Sequence, residues 1–149
     1  MIDKFNGQYD FLSNFYPSTF IDSISFFHYP TVEHYFQGQK GKTVKDQVMI
    51  FNAPSPSQAK KLGRTVTLRS DWEEVKDQIM WRGVLAKFTQ NHDLAQKLID
   101  TADQELIEGN YWHDNYWGNC YCPKCKNIPG KNMLGKILME VREILKEKR

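Results

Sequence analysis

Glu33, Gln37 and Lys40 occur at i, i+4 and i+7 in the stretch Pro30-Thr-Val-Glu-His-Tyr-Phe-Gln-Gly-Gln-Lys40, so a helix there carries a carboxylate, an amide and an amine on one side. Val32, Tyr35, Phe36 and Gln39 fall on another, largely apolar side. A polar stripe beside two large aromatics can line a pocket. The alternative is a solvated face with one i,i+4 pairing, and the pattern alone divides the two evenly. A second chemically rich stretch is Gly109-Asn-Tyr-Trp-His-Asp114-Asn-Tyr-Trp117-Gly118, which follows neither helical nor strand period, so core packing explains it poorly. Immediately after it, Cys120-Tyr-Cys122-Pro-Lys-Cys125 gathers all three cysteines. Cys122 and Cys125 have the spacing of a zinc knuckle, and His113 is close enough in sequence to be a fourth ligand. A second Cys-x₂-Cys pair is missing, so a metal-free loop of reduced thiols ranks above a structural zinc. A disulfide and a catalytic thiol rank lower.

The elements that must hold these residues can be read from caps and periods. Phe11-Leu-Ser-Asn-Phe-Tyr-Pro17 reads as an irregular segment ahead of a strand near Thr19–Ile24. Within it, Ser13 and Asn14 are expected to bond their own backbone, or else a ligand hydroxyl or phosphate. Thr31 is the expected N-cap of the Glu33 helix. Val44–Asn52 continues a helical pattern, and Ser55-Pro56 starts another helix that should end in a left-handed cap at Gly63. Residues Arg64 to Arg69 alternate as a strand would, which sets the two arginines on opposite faces. Ser70 and Glu73 have capping-box spacing for a helix to about Gln90, whose broad apolar stripe marks it as the central buried one. A short helix over Asp93–Thr101 and a strand at Glu105–Glu108 follow. The last helix is capped by Asn132. Leu134, Ile137, Leu138, Val141, Ile144 and Leu145 form its docking face, with Lys136, Glu140, Arg142 and Glu143 opposite.

With 149 residues, 40% hydrophobic and 26% charged, the chain fits one domain that buries roughly two-thirds of its unfolded surface. No apolar run approaches the ~20 residues of a membrane span. Met1-Ile-Asp-Lys-Phe5 lacks the basic and apolar regions of an export signal, which predicts a cytoplasmic location. A net charge of +2 is too small to argue for nucleic acid by itself. Four Trp, seven Tyr and nine Phe exceed what such a core requires, and the surplus can stack on flat ligands.

The chain resembles the NADAR (YbiA-like) family. The matching stretches are Phe11-Leu-Ser-Asn-Phe-Tyr-Pro17, Tyr29-Pro-Thr-Val-Glu-His-Tyr-Phe-Gln37 with Gln39 and Lys40, and Ala59-Lys-Lys-Leu-Gly-Arg64. Leu68-Arg-Ser-Asp-Trp-Glu73, Ala86-Lys-Phe88, Leu106-Ile-Glu108, Asp114-Asn-Tyr-Trp-Gly118 and Gly130-Lys-Asn-Met-Leu-Gly135 complete the match. The resemblance implies one α+β, helix-rich domain over residues 1–149 with a few short strands. Many members join Trp-Gly to Gly-x-Asn-x-Leu-Gly by a short glycine-rich stretch, whereas here a cysteine-containing loop is inserted at 119–129. Because the loop borders the expected pocket, substrate choice is the property it puts in question.

The implied activity is hydrolysis of a ribose C1′–N bond by an N-glycosidase. One branch is similar to hydrolases that remove ADP-ribose from guanine in DNA or nucleotides. Another is similar to enzymes acting on phosphorylated riboflavin-pathway intermediates. The short, self-contained chain favours the first, and a nucleotide-binding module without catalysis is the rival of a different class. Glu33, Trp72, Asp114 and Trp117 fall on positions that the family uses. The bond breaks through oxocarbenium character at C1′ while the leaving nitrogen gains a proton, work that two carboxylates can share. Glu33, favoured by a helix N-terminus, is expected as base or cation stabiliser. Asp114 is expected as acid or ribose anchor, with an Asx-turn as its structural alternative. Lys40 would contact phosphate or form a Schiff base with the ring-opened sugar. Trp72 and Trp117 would stack on the base, and Ser13, Asn14, Arg64, Arg69 and Gly118 complete the expected substrate-binding set. For Trp72 the alternative is a core anchor. Lys87 is expected to be a solvated surface residue. No cofactor is required for this chemistry.

Overall fold

The structure, a computed structural model, describes residues 1–148. The chain divides into two compact units, one over residues 14–91 and the other combining residues 1–13 with the part from His92 onward.

The first unit begins with a two-residue hairpin. β1 (Phe20–Ile21) pairs antiparallel with β2 (His28–Tyr29), in the register Phe20 to Tyr29 and Ile21 to His28. The strand expected to reach Ile24 stops short because Asp22 turns the chain. Its carboxylate accepts the Ser25 N–H at 3.0 Å and the Ser25 hydroxyl at 2.8 Å, and Phe26 adopts a left-handed φ of 62°. Four helices follow: α1 (Val32–Gln39), α2 (Val44–Phe51), α3 (Pro56–Gly63) and α4 (Trp72–Gln90). Thr31, Thr43 and Ser55 cap the first three through their hydroxyls, which are the short polar side chains that suit this position.

The central buried helix is α1, not the longer α4. It packs against α2, α3, α4 and β2, so every residue from Val32 to Gly38 is buried, its polar side included. Three sequence expectations around it give way. Gly63 is not a left-handed cap, since α3 runs through it and ends at a right-handed Arg64. A Cβ there would strike the Gln37 side chain, so the glycine serves the approach of α3 to α1. Arg64 to Arg69 forms no strand, and only Leu68 bridges, to Gly41. The Ser70–Glu73 capping box does not form, because the N-cap is Asp71, its carboxylate engaged by Arg69, while Glu73 pairs with Lys76.

In the second unit, Gly7–Leu12 winds into a 3₁₀ helix that takes in the start of the segment read as irregular from Phe11. α5 (His92–Ile99) packs against α6 (Met133–Glu147), with Leu94, Ala95 and Leu98 buried on one and Leu134, Ile137, Leu138, Val141 and Leu145 on the other. In place of a strand at Glu105–Glu108 there is one bridge, Ile2 to Leu106, and then β3 (Gly109–Asn110) running parallel to β4 (Asn119–Cys120). Asn132 is the N-cap residue but makes no capping bond. At φ 51° its side chain instead ties two segments, accepting the Glu108 N–H at 3.0 Å and donating to the Leu106 carbonyl at 2.9 Å. The start of α6 is satisfied by the preceding loop. Carbonyls of Asn115, Tyr116, Trp117 and Gly118 accept from the N–H groups of Lys131, Met133, Leu134 and Asn132. Arg142, expected on the solvated side, is buried, where its Nη1 donates to the Thr101 hydroxyl and the Gln104 carbonyl, both at 2.9 Å.

The cysteine segment leaves and returns at one place. The Gly130 N–H donates to Asn119 Oδ1 at 2.8 Å, and a Cβ on Gly130 would collide with the Gly118 carbonyl and the Asn119 backbone. Residues 119–129 thus form a loop with its ends together, an Ω-type excursion. Among the described residues no helix is long and apolar enough to cross a membrane.

Candidate active site

The polar side of α1 is enclosed rather than solvated. Glu33 is 7% exposed and Gln37 4%. Buried carboxylates are uncommon unless partnered, and here Gln37 Nε2 donates to Glu33 Oε1 at 2.7 Å. The Glu33 N–H, one of the orphan donors of a helix start, reaches the Asn14 carbonyl at 3.1 Å. Two residues named from the sequence are therefore joined through the backbone. The Asn14 side chain faces Met80 Sδ at 3.5 Å. Gln37 Oε1 is buried without a hydrogen-bond partner, packed where a Cβ on Gly63 would fall. The neighbouring His34 is structural. Its Nδ1 lies 2.8 Å from the Thr31 hydroxyl and its Nε2 3.0 Å from the Ala53 carbonyl, and burial lowers its pKa.

At the other end of α1, Lys40 Nζ sits 5.6 Å over the Phe36 ring and 5.9 Å over Trp72, and those two rings pack 5.0 Å apart. Burial pushes the Lys40 pKa below its ordinary value. The Glu33 carboxylate opposes the shift, and the cations Arg64 and Lys60 add to it. Lys60 has no signature in the sequence beyond its place one turn before Arg64. Trp72 is buried and shared between Phe36 and Lys40, the packing of a core anchor as well as of a site wall. Arg64 is exposed, whereas Arg69 is already forked onto Asp71, with Nε 2.6 Å from Oδ1 and Nη2 3.1 Å from Oδ2. Lys87 is not a surface residue: it is 1% exposed, with Nζ 5.0 Å over Phe88 and 5.8 Å over Tyr16.

In the other unit, Asp114 makes the turn considered for it. Its Oδ1 accepts the N–H groups of Tyr116 at 3.1 Å and Trp117 at 2.9 Å. Asn110, which the sequence reading passed over, organises this loop. Its Oδ1 accepts from Trp112 and Asp114, and its Nδ2 donates to the Asp114 carbonyl. An Asn at the mouth of a turn-rich loop was the available signal. Trp117 is half-buried, edge-on to Tyr116 at 4.9 Å, and Gly118 is buried. Ser13 ends the 3₁₀ helix, its N–H bonded to the Asp10 carbonyl. His113 and the three cysteines converge, with ligand atoms all within 4.8 Å of one another. A concavity of about 620 Å³ lies over the cysteine loop and one of about 400 Å³ over Gln8–Phe11 and α5. The first has no carboxylate in its lining, and neither includes Glu33 or Lys40.

The model of the NADAR domain matches residues 3–146. The chain belongs to the NADAR family. Among its relatives, the N-glycosidase YbiA of Escherichia coli is 42% identical over 123 residues, covering 78% of this chain and 71% of that protein. An N-glycosidase of Nostoc punctiforme is 41% identical, over 80% of this chain and 76% of its own length. A riboflavin biosynthesis protein of Vibrio vulnificus is 38% identical over 94% of this chain, which spans only 36% of that protein. The NMR structure of E. coli YbiA superposes with a TM-score of 0.82 at 36% identity, covering 99% of this chain and 88% of that one. The helix-rich α+β fold is therefore that of a NADAR domain.

Proposed function

We propose that this NADAR chain is an N-glycosidase that hydrolyses a ribose C1′–N bond, most suitably the bond joining ADP-ribose to guanine in a nucleotide or nucleic acid. The observation that carries this reading is the Glu33–Lys40 arrangement: a buried carboxylate in the first turn of α1 and a half-buried amine at its C-cap, the amine's pKa lowered by burial and opposed by that carboxylate. A partly desolvated amine that feels a carboxylate is suited to nucleophilic and proton-transfer chemistry, which simple phosphate binding does not need.

Ring opening breaks C1′–O4′, the ring oxygen taking up a proton as C1′ becomes the imine carbon of the leaving nitrogen; Lys40, once unprotonated, adds to that carbon to give an aminal. The C1′–N bond breaks with its electron pair going to nitrogen, which takes up a proton. Water then adds to the resulting Schiff base, releasing the sugar aldehyde and returning the amine. Glu33 relays the protons, and Gln37 fixes its orientation. Trp72 and Phe36 keep water from the amine. Arg64 is the phosphate contact, and Arg69 would have to leave Asp71 to act as another. The reaction takes no cofactor, and metal held at the Cys/His cluster would serve structure. A cytoplasmic setting would keep those thiols reduced.

The relatives named for riboflavin biosynthesis, in Vibrio vulnificus and Zea mays, favour a second reading in which the substrate is a phosphorylated ribosylamine of that pathway. Purified protein incubated side by side with ADP-ribosylated guanosine and with such intermediates separates the two. Free ADP-ribose released by the native chain and not by Glu33→Ala supports the proposal. Tight binding of either compound with no turnover would make the protein a binding module instead.

A further inference from the structure

His113 Nδ1 lies 3.3 Å from Cys122 Sγ, 3.4 Å from Cys125 Sγ and 3.9 Å from Cys120 Sγ. Around a tetrahedral zinc with Zn–S of about 2.3 Å and Zn–N of about 2.0 Å, neighbouring ligand atoms stand roughly 3.5–3.8 Å apart, so the four donors already have the spacing of a closed site. The backbone agrees. Cys120 Sγ receives the N–H groups of His113 at 3.3 Å and Cys122 at 3.5 Å, the kind of bonds that stabilise a thiolate. The Cys125 N–H closes onto the Cys122 carbonyl at 3.0 Å, making the tight knuckle that x₂ spacing implies. His113 itself is held at φ 72°, a left-handed conformation that is unfavourable for a non-glycine residue and persists where the surroundings over-determine it. Turning its ring toward three sulfurs is what that conformation achieves.

We infer that His113, Cys120, Cys122 and Cys125 bind one Zn²⁺ ion whose role is to fix the Asp114–Gly118 turn. Four protein ligands leave no open position, which makes the site structural rather than catalytic. Its ligands bracket that turn in sequence, the histidine immediately before it and the cysteines after β4 begins. The same turn supplies the carbonyls that accept the first N–H groups of α6, so the ion secures one end of the loop and the helix the other. Each cysteine binds as a thiolate and releases its proton on metal uptake. The inference stands whether or not the chain cleaves the bond proposed above.

The test uses the full chain prepared under reducing conditions with zinc supplied. Elemental analysis should find one zinc per chain, and cobalt replacing it should show thiolate charge-transfer absorption with the intense visible bands of a tetrahedral site. Cys122→Ser/Cys125→Ser should lose both. Hydrogen exchange should then show the Tyr116 and Trp117 amides, which donate to Asp114, losing protection by about tenfold or more on chelation while the amides of α1 keep theirs. A metal-free protein whose three thiols react at once overturns the site. Zinc that is bound, but whose removal leaves exchange at Tyr116 and Trp117 unchanged, overturns its role in holding the turn.

Discussion

Gln37 donates to Glu33 Oε1 at 2.7 Å from one turn further along the same enclosed helix. The amide holds the carboxylate in one orientation while its own oxygen is left without a partner. Glu33→Gln should therefore lower kcat by about 10²–10⁴, the range for a positioned acid–base group, with little change in thermal midpoint. Gln37→Met, which removes that amide donor, should cost less in kcat. Steady-state kinetics on the released sugar check both, and an unchanged rate in Glu33→Gln would remove the residue from the mechanism.

For Lys40 the sign of the pH effect follows from its burial. In the proposed mechanism the attacking form is the free amine, and its pKa is lowered, so activity should fall as pH drops through a value below the ordinary lysine value of about 10.4. Lys40→Arg should not restore turnover, because a guanidinium does not deprotonate in this range. Cyanoborohydride added during turnover should leave the sugar covalently attached to Lys40, visible as a mass shift in the peptide that carries it. If no adduct forms and the rate has no rising limb in that region, Lys40 binds the substrate and does not attack it.

His34 predicts an acid-sensitive fold. Burial lowers its pKa, and in the unfolded chain it takes up a proton near pH ~6.5. Its contribution is therefore complete above that value and is lost as pH falls through it toward the folded value. Urea midpoints measured at about pH 7.5 and about pH 5.5 should show the drop, and His34→Gln should flatten it.

Arg142 gives a purely structural prediction. Burial lowers its pKa, opposed by Glu143 and Asp103, and its Nη1 serves both Thr101 and Gln104. Arg142→Ala should destabilise the fold by about 2–3 kcal/mol, since two acceptors lose a charged donor. Arg142→Met, which keeps the stem's packing, should cost less. Chemical denaturation decides it, and equal stability of Arg142→Ala with the native chain would mean that water replaces the guanidinium without loss.

Local period and cap chemistry made much of this molecule readable in advance. Thr31 and Ser55 cap the helices they were expected to cap, and Glu33 and Gln37 share α1 while Lys40 stands at its C-cap. Burial was not readable. Whether the polar side of α1 faces water depends on α3 pressing in at Gly63, more than twenty residues later, and nothing near Glu33 encodes that. The failed caps fail for the same reason. Asp71 takes the place of Ser70 because its own carboxylate is fixed by Arg69, and Asn132 reaches back to Leu106 and Glu108 instead of capping its helix. The four donors of the cysteine cluster could be named from the sequence, but their convergence could not, since it depends on a left-handed histidine and a parallel strand pair.

An excursion that begins and ends at the same hydrogen-bonded junction can be exchanged whole. Because Gly118 and Gly130 meet where residues 119–129 depart and return, descendants of this fold can lengthen, shorten or discard that cassette without re-threading the helix behind it. Variation there is absorbed at the junction while the scaffold keeps its course.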